Sequence, residues 1–264
     1  MDQKTALITG ASSGLGESFA RFLSGRGLRV ILTARREERL KSLCAEIISA
    51  GGSAIYFPAD LSNEAGRAGL FEFVRGKEIT PDILINNAGF GWYGYFYEMP
   101  WETASNLMAV NMAASAHLTR LFLPDMLARG SGHIINIGSI AGGLPNQGIA
   151  MYGASKAFLN AFTTALYREL RGSGVTASVM RLGPVETEFY DHARSLENGL
   201  SVPAEKAAIP VERVNQALWR LICRPKRFVY VPRWLVLSRY VENLFGGIID
   251  LLGPLLLKRS REKR

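Results

Sequence analysis

Short apolar runs alternate along the chain with longer segments in which apolar residues recur every three or four positions. A continuous apolar run of four to six residues is typical of a buried strand, and the longer spacing is typical of an amphipathic helix. The predicted strands are 5–9, 29–34, 54–57, 82–86, 133–137, 175–180 and 228–231. The predicted helices are 14–24, 36–50, 63–75, 101–129, 151–171 and 211–223.

This alternation predicts a parallel sheet that is covered by helices on both faces. Right-handed crossovers then give an α/β fold, a doubly wound Rossmann-type sheet flanked by helices. No repeat or low-complexity linker interrupts residues 1–232, so we expect a single domain there. Residues 185–210 are too long for a tight turn and are predicted to form a substrate lid. Residues 233–264 follow as a C-terminal extension that is both apolar and basic.

Glycines stand at the ends of several predicted helices, at positions 25, 51, 130 and 172. A residue in the left-handed conformation commonly ends a helix, and glycine adopts that conformation without a steric penalty. We therefore expect these four glycines to act as left-handed caps.

Composition and charge limit the classes of protein to which the chain can belong. With 48% hydrophobic and 20% charged residues, the chain is typical of a globular protein. Its two cysteines, Cys44 and Cys223, form no metal-binding or disulfide pattern and indicate a reducing compartment. No signal peptide fits before the first strand, so we expect a cytoplasmic protein. Any peripheral contact with a membrane is expected through the extension.

The net charge of +8 is concentrated near the C-terminus. Lys and Arg outnumber Asp and Glu by only 21 to 20 in residues 1–223, but by 10 to 3 in residues 224–264. A basic face spread over the whole protein is therefore excluded, and nucleic acid is not expected as a partner.

A glycine-rich segment, TGASSGLG at residues 9–16, follows the first predicted strand and opens the first predicted helix. Gly10, Gly14 and Gly16 allow a tight turn and a close approach of a pyrophosphate to backbone N–H groups at a helix N-terminus. A purely structural glycine-rich turn is the alternative, but the strand before and the helix after favour a dinucleotide cradle.

Two arginines, Arg35 and Arg36, follow the second predicted strand, where an acidic residue would bind the ribose hydroxyls of NAD. Guanidinium groups suit a 2′-phosphate through charge-assisted hydrogen bonds. The sequence therefore favours NADP(H) over NAD(H). The alternative is a solvated basic start to the helix, with Glu37 and Glu38 as partners of the arginines.

Taken together, the motifs of the chain resemble those of the short-chain dehydrogenase/reductase family, in its single-domain branch, over residues 4–232. The matching motifs are TGASSGLG at 9–16, Asp60 with Leu61, NNAG at 86–89, Asn111, Ser139, YGASK at 152–156 and GPVET at 183–187. The resemblance implies that Asp60 and Leu61 hold the adenine, that Asn87, Ala88 and Gly89 pass beside its ribose, and that Val185 and Thr187 contact the nicotinamide carboxamide and the diphosphate. The residues expected to bind the cofactor are Gly10, Ser12, Ser13, Gly14, Leu15, Gly16, Arg35, Asp60, Leu61, Asn87, Ala88, Gly89, Tyr152, Lys156, Val185 and Thr187.

The YGASK segment places Tyr152 and Lys156 four residues apart, on one face of a predicted helix. A tyrosine that packs along a lysine stem is the alternative interpretation. A free phenol has a pKa near 10, and a nearby ammonium favours its ionised form, so Tyr152 could exchange a proton with a carbonyl or alcohol oxygen near neutral pH. By resemblance, Lys156 also binds the nicotinamide ribose, Ser139 binds the substrate oxygen, and Asn111 holds a water that links Lys156 to solvent. These four residues are the expected catalytic set, and no metal is expected.

The segment FGWYGYFYEMPW, residues 90–101, contains seven aromatic residues in twelve positions. In the family this segment borders the active site, which suits a large apolar or ring-containing carbonyl or alcohol substrate. The alternative is that the aromatic residues pack the segment onto the domain. His192, in the predicted lid, is expected at the surface. By resemblance, homo-oligomers are expected to form through helices 101–129 and 151–171.

Charged residues and Pro254 interrupt the apolar stretches of residues 233–264, so no uninterrupted run approaches the roughly 20 residues of a membrane-spanning helix. The extension could lie on an anionic membrane surface, or pack on the pocket or on a second subunit. Protein packing is the favoured interpretation.

Two functions other than catalysis fit a dinucleotide-binding chain of this kind. One is a redox-sensing protein that binds the dinucleotide without turnover, and the other is a membrane-surface scaffold. Because the chain retains both Tyr152 and Lys156, the sequence favours an oxidoreductase that acts on CH–OH groups.

Overall fold

The computed structural model describes residues 3–262, apart from the side chains of residues 239, 242, 243, 255, 256 and 258–262. The strands are β1 (Thr5–Thr9), β2 (Arg29–Ala34), β3 (Ser53–Pro58), β4 (Ile83–Asn86), β5 (Gly132–Ser139), β6 (Val175–Leu182) and β7 (Phe228–Val231). The helices are α1 (Gly14–Ser24), α2 (Glu37–Ser49), α3 (Glu64–Arg75), α4 (Trp101–Met108), α5 (Ser115–Arg129), α6 (Ala150–Glu169), α7 (Phe189–Ser195), α8 (Val211–Cys223) and α9 (Ser238–Glu262).

Within the described residues, the strands form one parallel sheet in the order β3-β2-β1-β4-β5-β6-β7. Two apolar cores cover its faces, one built with α1, α2 and α8 and the other with α3, α5 and α6. The predicted doubly wound fold is therefore confirmed. The strand order reverses between β1 and β4, and in such sheets ligands bind at the carboxyl ends of the strands beside the reversal.

The predicted helix 101–129 is not continuous, because a π-helical segment, Ala109–Ala114, separates α4 from α5. Asn111 lies in this segment and is fully buried. Its side chain hydrogen-bonds the backbone N–H and C=O of Phe90, at 3.0 and 2.9 Å. A buried amide must find such partners, and wide turns of this type are frequent at functional sites.

The prediction of a left-handed cap at Gly25 is wrong, since its φ angle is −62°. The left-handed residue comes two positions later, at Gly27, whose φ angle is 84°. The N–H of Gly27 bonds the carbonyl of Ser24, and the N–H of Leu28 bonds that of Leu23, which is a Schellman motif. Left-handed glycines do occur at the other three predicted positions, 51, 130 and 172.

The predicted lid, residues 185–210, is fastened at both ends and contains structure of its own. Val185 and Ile209 form a parallel bridge, supported by hydrogen bonds of 3.0 and 3.1 Å across the two ends. Between them lie α7 and a 3-10 helix, Pro203–Ala207. The segment is therefore a closed loop with fixed ends, a geometry that suits a cover over a cavity.

The C-terminal extension continues from a 3-10 helix, Arg233–Leu237, into the long helix α9. The basic side chains that the sequence places at residues 258–264 lie outside the described residues. In the part of the chain that the structure describes, no helix combines the length and apolar character needed to span a bilayer.

The first helix depends on a glycine for its approach to the sheet. A Cβ atom on Gly16 would lie 2.2 Å from the Gly10 carbonyl oxygen and 2.6 Å from Asn87 Nδ2. We expect Gly16→Ala to lower the free energy of unfolding by about 1–3 kcal/mol, because the helix must shift. Urea denaturation followed by circular dichroism measures this change.

Gly69→Ala in α3 is the matched control, because its Cβ would meet Phe57 at an ordinary contact distance of 3.5 Å. This variant should gain about 0.5–1 kcal/mol from helix propensity. Equal stability of the two variants would show that the contact of Gly16 with Gly10 is not limiting.

Candidate active site

A cavity of about 900 Å³ lies at the carboxyl ends of the central strands. All the predicted site residues line it, with the exception of Gly16 and Asn111. The residues that line it are Gly10, Ser12, Ser13, Gly14, Leu15, Arg35, Asp60, Leu61, Asn87, Ala88, Gly89, Ser139, Tyr152, Lys156, Val185 and Thr187. The fold thus joins motifs that are up to 177 positions apart in one site, with Gly16 and Asn111 directly behind its wall.

The glycine-rich cradle is braced against the end of β4. Thr9 Oγ1 accepts hydrogen bonds from the backbone N–H groups of Asn87 and Ala88, both at 2.9 Å. Asn87 Nδ2 donates to the Thr9 carbonyl oxygen at 2.8 Å. The Asn87 side chain therefore holds the cradle in place. Thr9 was not among the predicted site residues, although a hydroxyl at the last position of an apolar strand signals such a brace.

The second basic residue after β2 contacts the cradle directly. Arg36 donates from Nε to Ser12 Oγ at 3.1 Å and from Nη2 to the Ser12 carbonyl oxygen at 3.2 Å. Its Nη1 lies 3.8 Å from a carboxylate oxygen of Glu188 in the lid, and Arg39 Nη1 lies 3.2 Å from the same carboxylate. Arg36 and Arg39 thus share an acidic partner from the lid, Glu188, in place of the Glu37 or Glu38 considered for Arg36.

Arg35 and Asp60 line the cavity just past the carboxyl ends of β2 and β3. Asp60 accepts a hydrogen bond from the backbone N–H of Ser62 at 3.0 Å. Hydrogen bonds from Ser62 hold the pKa of Asp60 below its usual range, and the positive charge of Arg35 acts in the same direction. This end of the cavity therefore contains a carboxylate and a cation side by side.

Tyr152, Lys156 and Ser139 meet at the centre of the cavity. Ser139, at the end of β5, lies close to the phenol of Tyr152 near the start of α6, and its Oγ donates to the Leu182 carbonyl oxygen at 3.3 Å. Lys156 Nζ lies 5.7 Å from the centre of the Tyr152 ring and donates to the Ile137 carbonyl oxygen at 2.9 Å. The structure thus brings the predicted acid, the predicted cation and the predicted oxygen-binding hydroxyl together.

Burial changes the acidity of both members of the Tyr152–Lys156 pair. It raises the pKa of Tyr152 to about 12, with Ser139 acting in the opposite direction. It also lowers the pKa of Lys156 to about 8. The expected lowering of the Tyr152 pKa is therefore not found, because burial disfavours the charged form of each group.

Asn111 supports the site from behind the cavity wall. Besides its two bonds to Phe90, it donates to Ser155 Oγ at 3.1 Å, and Ser155 donates to the Tyr152 carbonyl oxygen at 2.7 Å. A Cβ on Gly89 would lie 2.9 Å from Asn111 Oδ1 and 3.6 Å from Lys156 Nζ. Asn111 therefore fixes the backbone opposite Lys156. The contribution of Ser155, which is fully buried, was not predicted.

Aromatic side chains form the wall beside Tyr152. Phe90, Trp92 and Tyr93 are buried and line the cavity. From the lid, the Phe189 ring lies 5.6 Å from that of Tyr152, centre to centre. The interpretation of the segment 90–101 as a border of the site fits its first residues only, since Phe96, Tyr97 and Trp101 are exposed.

His192 is exposed, as expected for a surface residue, and it also borders the cavity. Its ring lies 5.7 Å from that of Phe90 and lines the cavity. Burial lowers its pKa, and the charges of Arg35 and Arg36 act in the same direction. His192 reaches the cavity because α7 folds over the opening, a tertiary feature that the sequence pattern does not reveal.

Comparisons with known proteins agree with this geometry. The family model for short chain dehydrogenase matches residues 4–198. Ketoacyl reductase HetN of Nostoc sp. is 40% identical over 185 residues, which make up 69% of this chain and 63% of HetN. The chain therefore spans less than two thirds of that relative. A very-long-chain 3-oxoacyl-CoA reductase of Pyricularia oryzae is 30% identical over 91% of this chain and 73% of its own length.

Solved structures give the same family and the same class of cofactor. A short-chain dehydrogenase from Sphingobium yanoikuyae in complex with NADPH has a TM-score of 0.80 at 30% identity, covering 92% of this chain and 95% of that one. A short chain dehydrogenase/reductase from Burkholderia phymatum in complex with NAD has a TM-score of 0.83 at 26% identity, covering 92% and 93%. From its sequence motifs, its fold and these likenesses, the chain belongs to the short-chain dehydrogenase family of oxidoreductases, which use a pyridine nucleotide.

Proposed function

We propose that the protein interconverts a ketone or aldehyde and the corresponding alcohol, with NADP(H) as the cofactor. The observation that carries this proposal is the meeting of Ser139, the Tyr152 phenol and Lys156, one helical turn from Tyr152, in a cavity that also contains the glycine cradle. A proton donor, an oxygen-binding hydroxyl and a cation are the groups that carbonyl reduction requires of a protein.

The residues of the cradle fit a dinucleotide. A Cβ on Gly10 would lie 2.9 Å from the Ala88 Cα, so the turn can only be made by a residue without a side chain. The backbone of residues 12–16 leads into the N-terminus of α1, where N–H groups and the helix dipole favour a pyrophosphate. Bound there, NADP(H) supplies or accepts the hydride.

The preference for NADP(H) over NAD(H) rests on the basic side of the cavity. Arg35 is exposed beside Asp60, and Arg36 is fixed on Ser12. Two guanidinium groups at this position favour a 2′-phosphate. The acidic residue that would bind the ribose hydroxyls of NAD is not found at the end of β2, where Ala34 and Arg35 stand. The NADPH complex of the Sphingobium yanoikuyae relative supports this preference.

The proton is handled by residues of this chain. In reduction, Ser139 holds the carbonyl oxygen and Tyr152 donates its proton to that oxygen. The phenolate that results lies close to Lys156. Because its pKa is about 8, Lys156 is mostly protonated at neutral pH. In oxidation the same steps run in reverse. Asn111 acts as a positioning residue, because its contacts are with Phe90 and Ser155.

The substrate class follows from the wall beside Tyr152. Phe90, Trp92 and Phe189 present aromatic surface, and Leu144 and Ile149 complete an apolar lining. An apolar carbonyl compound fits this lining, and the similarity to the ketoacyl reductase HetN and to the 3-oxoacyl-CoA reductase of Pyricularia oryzae supports a ketoacyl chain. A cytoplasmic location and assembly into homo-oligomers stay predictions.

Replacing the proposed proton donor tests the mechanism. Tyr152→Phe should lower kcat for a ketone panel by about 10²–10⁴-fold, because the proton donor is lost. The dissociation constant for NADPH, measured by isothermal titration, should change by less than about threefold, which corresponds to under 1 kcal/mol. Tyr167→Phe, on the same helix but packed in the second core, is the matched control and should leave kcat unchanged. A Tyr152→Phe enzyme with nearly full kcat would contradict the assignment.

Removing the cation beside Asp60 tests the cofactor preference. Arg35→Ala should weaken NADPH binding by about 10–100-fold, the value of one charge-assisted hydrogen bond, and leave NADH binding unchanged. Lys41→Ala, on the exposed side of α2, removes an equal charge away from the cavity and should have no effect. If the wild type bound NADH as tightly as NADPH, the preference would be wrong.

The pH dependence follows from the two shifted groups. Oxidation requires the phenolate of Tyr152, whose fraction increases with pH because burial raises the pKa to about 12. We expect kcat/KM for alcohol oxidation to rise with pH, by at most about tenfold per unit, and to flatten above about 8, where Lys156 loses the charge that favours the phenolate. Carbonyl reduction uses the neutral phenol and should not rise with pH. An oxidation rate independent of pH between about 6 and about 8 would contradict this scheme.

A further inference from the structure

Helix α9 presents its apolar side to solvent. Six large apolar side chains recur at spacings of three, four and seven residues. They therefore share one face, which runs from the last residue of the preceding 3-10 helix along α9. They are exposed by 49% to 75% and are Leu237, Leu244, Phe245, Ile248, Leu251 and Leu252. Trp234, just before them, is exposed by 67%. We call this set the outer stripe. A continuous exposed patch of this kind marks an interaction surface.

The opposite side of α9 is fixed to the protein. Gln147 donates from Nε2 to the Ile249 carbonyl oxygen at 3.2 Å. Gly253 faces Gln147 so closely that a Cβ there would lie 1.9 Å from its side-chain oxygen. Further along, Leu257 is buried against Tyr93 and Leu200. The orientation of the helix is therefore set by its inner side, and the outer stripe stays outside.

The charge around the stripe selects its partner. Residues 224–264 contain ten Lys or Arg and three Asp or Glu. In the sequence, basic residues precede the stripe at 224–233 and follow it at 258–264. In a symmetric contact, two copies of this segment would bring a net charge of +7 against +7. An anionic lipid surface meets the same charge with attraction, worth about 1 kcal/mol per basic residue close to it.

From these observations we propose that the outer stripe docks the protein on an anionic lipid membrane, with α9 lying in the plane of the interface. Because the inner side of α9 is held to the protein at Ile249 and Leu257, the helix would lie along the surface with only its outer stripe in the lipid. From residue 237 to residue 252 the stripe is about 22 Å long at 1.5 Å per residue, which gives an extended line of contact.

Flotation of the full-length protein with lipid vesicles tests the proposal. The wild type should float with vesicles of phosphatidylcholine and phosphatidylglycerol, float poorly with phosphatidylcholine alone, and be released as salt is raised. The variant Leu244→Glu/Ile248→Glu/Leu251→Glu should bind the mixed vesicles at least about tenfold more weakly, since each burial of a Leu or Ile contributes about that factor. It should keep the thermal midpoint of the wild type, because these side chains point outward.

A single pair of variants provides the matched control. Ile248→Glu in the outer stripe should weaken vesicle binding about tenfold, while Ile48→Glu on α2 should not change it. Both isoleucines are exposed by 55%, so the two changes differ in place and not in kind.

Four results would overturn the proposal. They are no flotation of the wild type with mixed vesicles, equal binding to neutral and anionic vesicles, equal binding by Ile248→Glu and Ile48→Glu, and an oligomer by light scattering that the triple variant abolishes without any vesicle binding. The last result would identify a second copy of the chain as the occupant of the stripe.

Discussion

The burial of Tyr152 beside Lys156 is the constraint on which the rest of the site depends. A low-dielectric environment disfavours a phenolate and an ammonium alike, and it moves their pKa values to about 12 and about 8. The surrounding groups are polar where the pair needs them: Ser139 lies beside the phenol, and the Ile137 carbonyl accepts from the ammonium. A protein that only packed a tyrosine against a lysine stem would need neither contact. In the proposed reaction, the loss of the phenol proton creates an ion pair in place of an isolated charge, which makes that step less costly than burial alone suggests.

The sheet could be predicted from the sequence because its strands are buried on both faces. Runs such as 5–9 and 29–34 are continuous apolar stretches, and such runs have few alternatives in a chain of this length. The elements that were predicted wrongly depend on contacts far away in the sequence. The break in helix 101–129 contains Asn111, whose hydrogen-bond partner Phe90 lies 21 positions earlier. The left-handed residue after α1 was misplaced because Gly25 and Gly27 could both adopt that conformation, and only the hydrogen bonds decide between them.

The site shows the same division between local and distant information. Spacing within YGASK or TGASSGLG is local, and the predicted site residues of both motifs, apart from Gly16, line the cavity. What a motif residue touches is not local. Asn87 was expected beside the cofactor, yet its side chain also ties the cradle to β4. Arg36 reaches Ser12 from 24 positions away, and Glu188 reaches Arg39 from 149 positions away. His192 joins the wall only because the lid is closed by the bridge between Val185 and Ile209.

The two interpretations of the extension, protein packing and a membrane surface, apply to opposite sides of one helix. Rotating α9 to bury its outer stripe would turn Gly253 away from Gln147 and bring a larger side chain into the same space, where even a Cβ is 1.9 Å from the amide. The inner side is therefore selected for close approach and the outer side is free to be apolar. Because Leu257 packs with Tyr93, which lines the cavity, the inner side also contributes to the support of the cavity wall. The same helix thus connects the wall of the proposed substrate site to the surface that we propose for membrane docking.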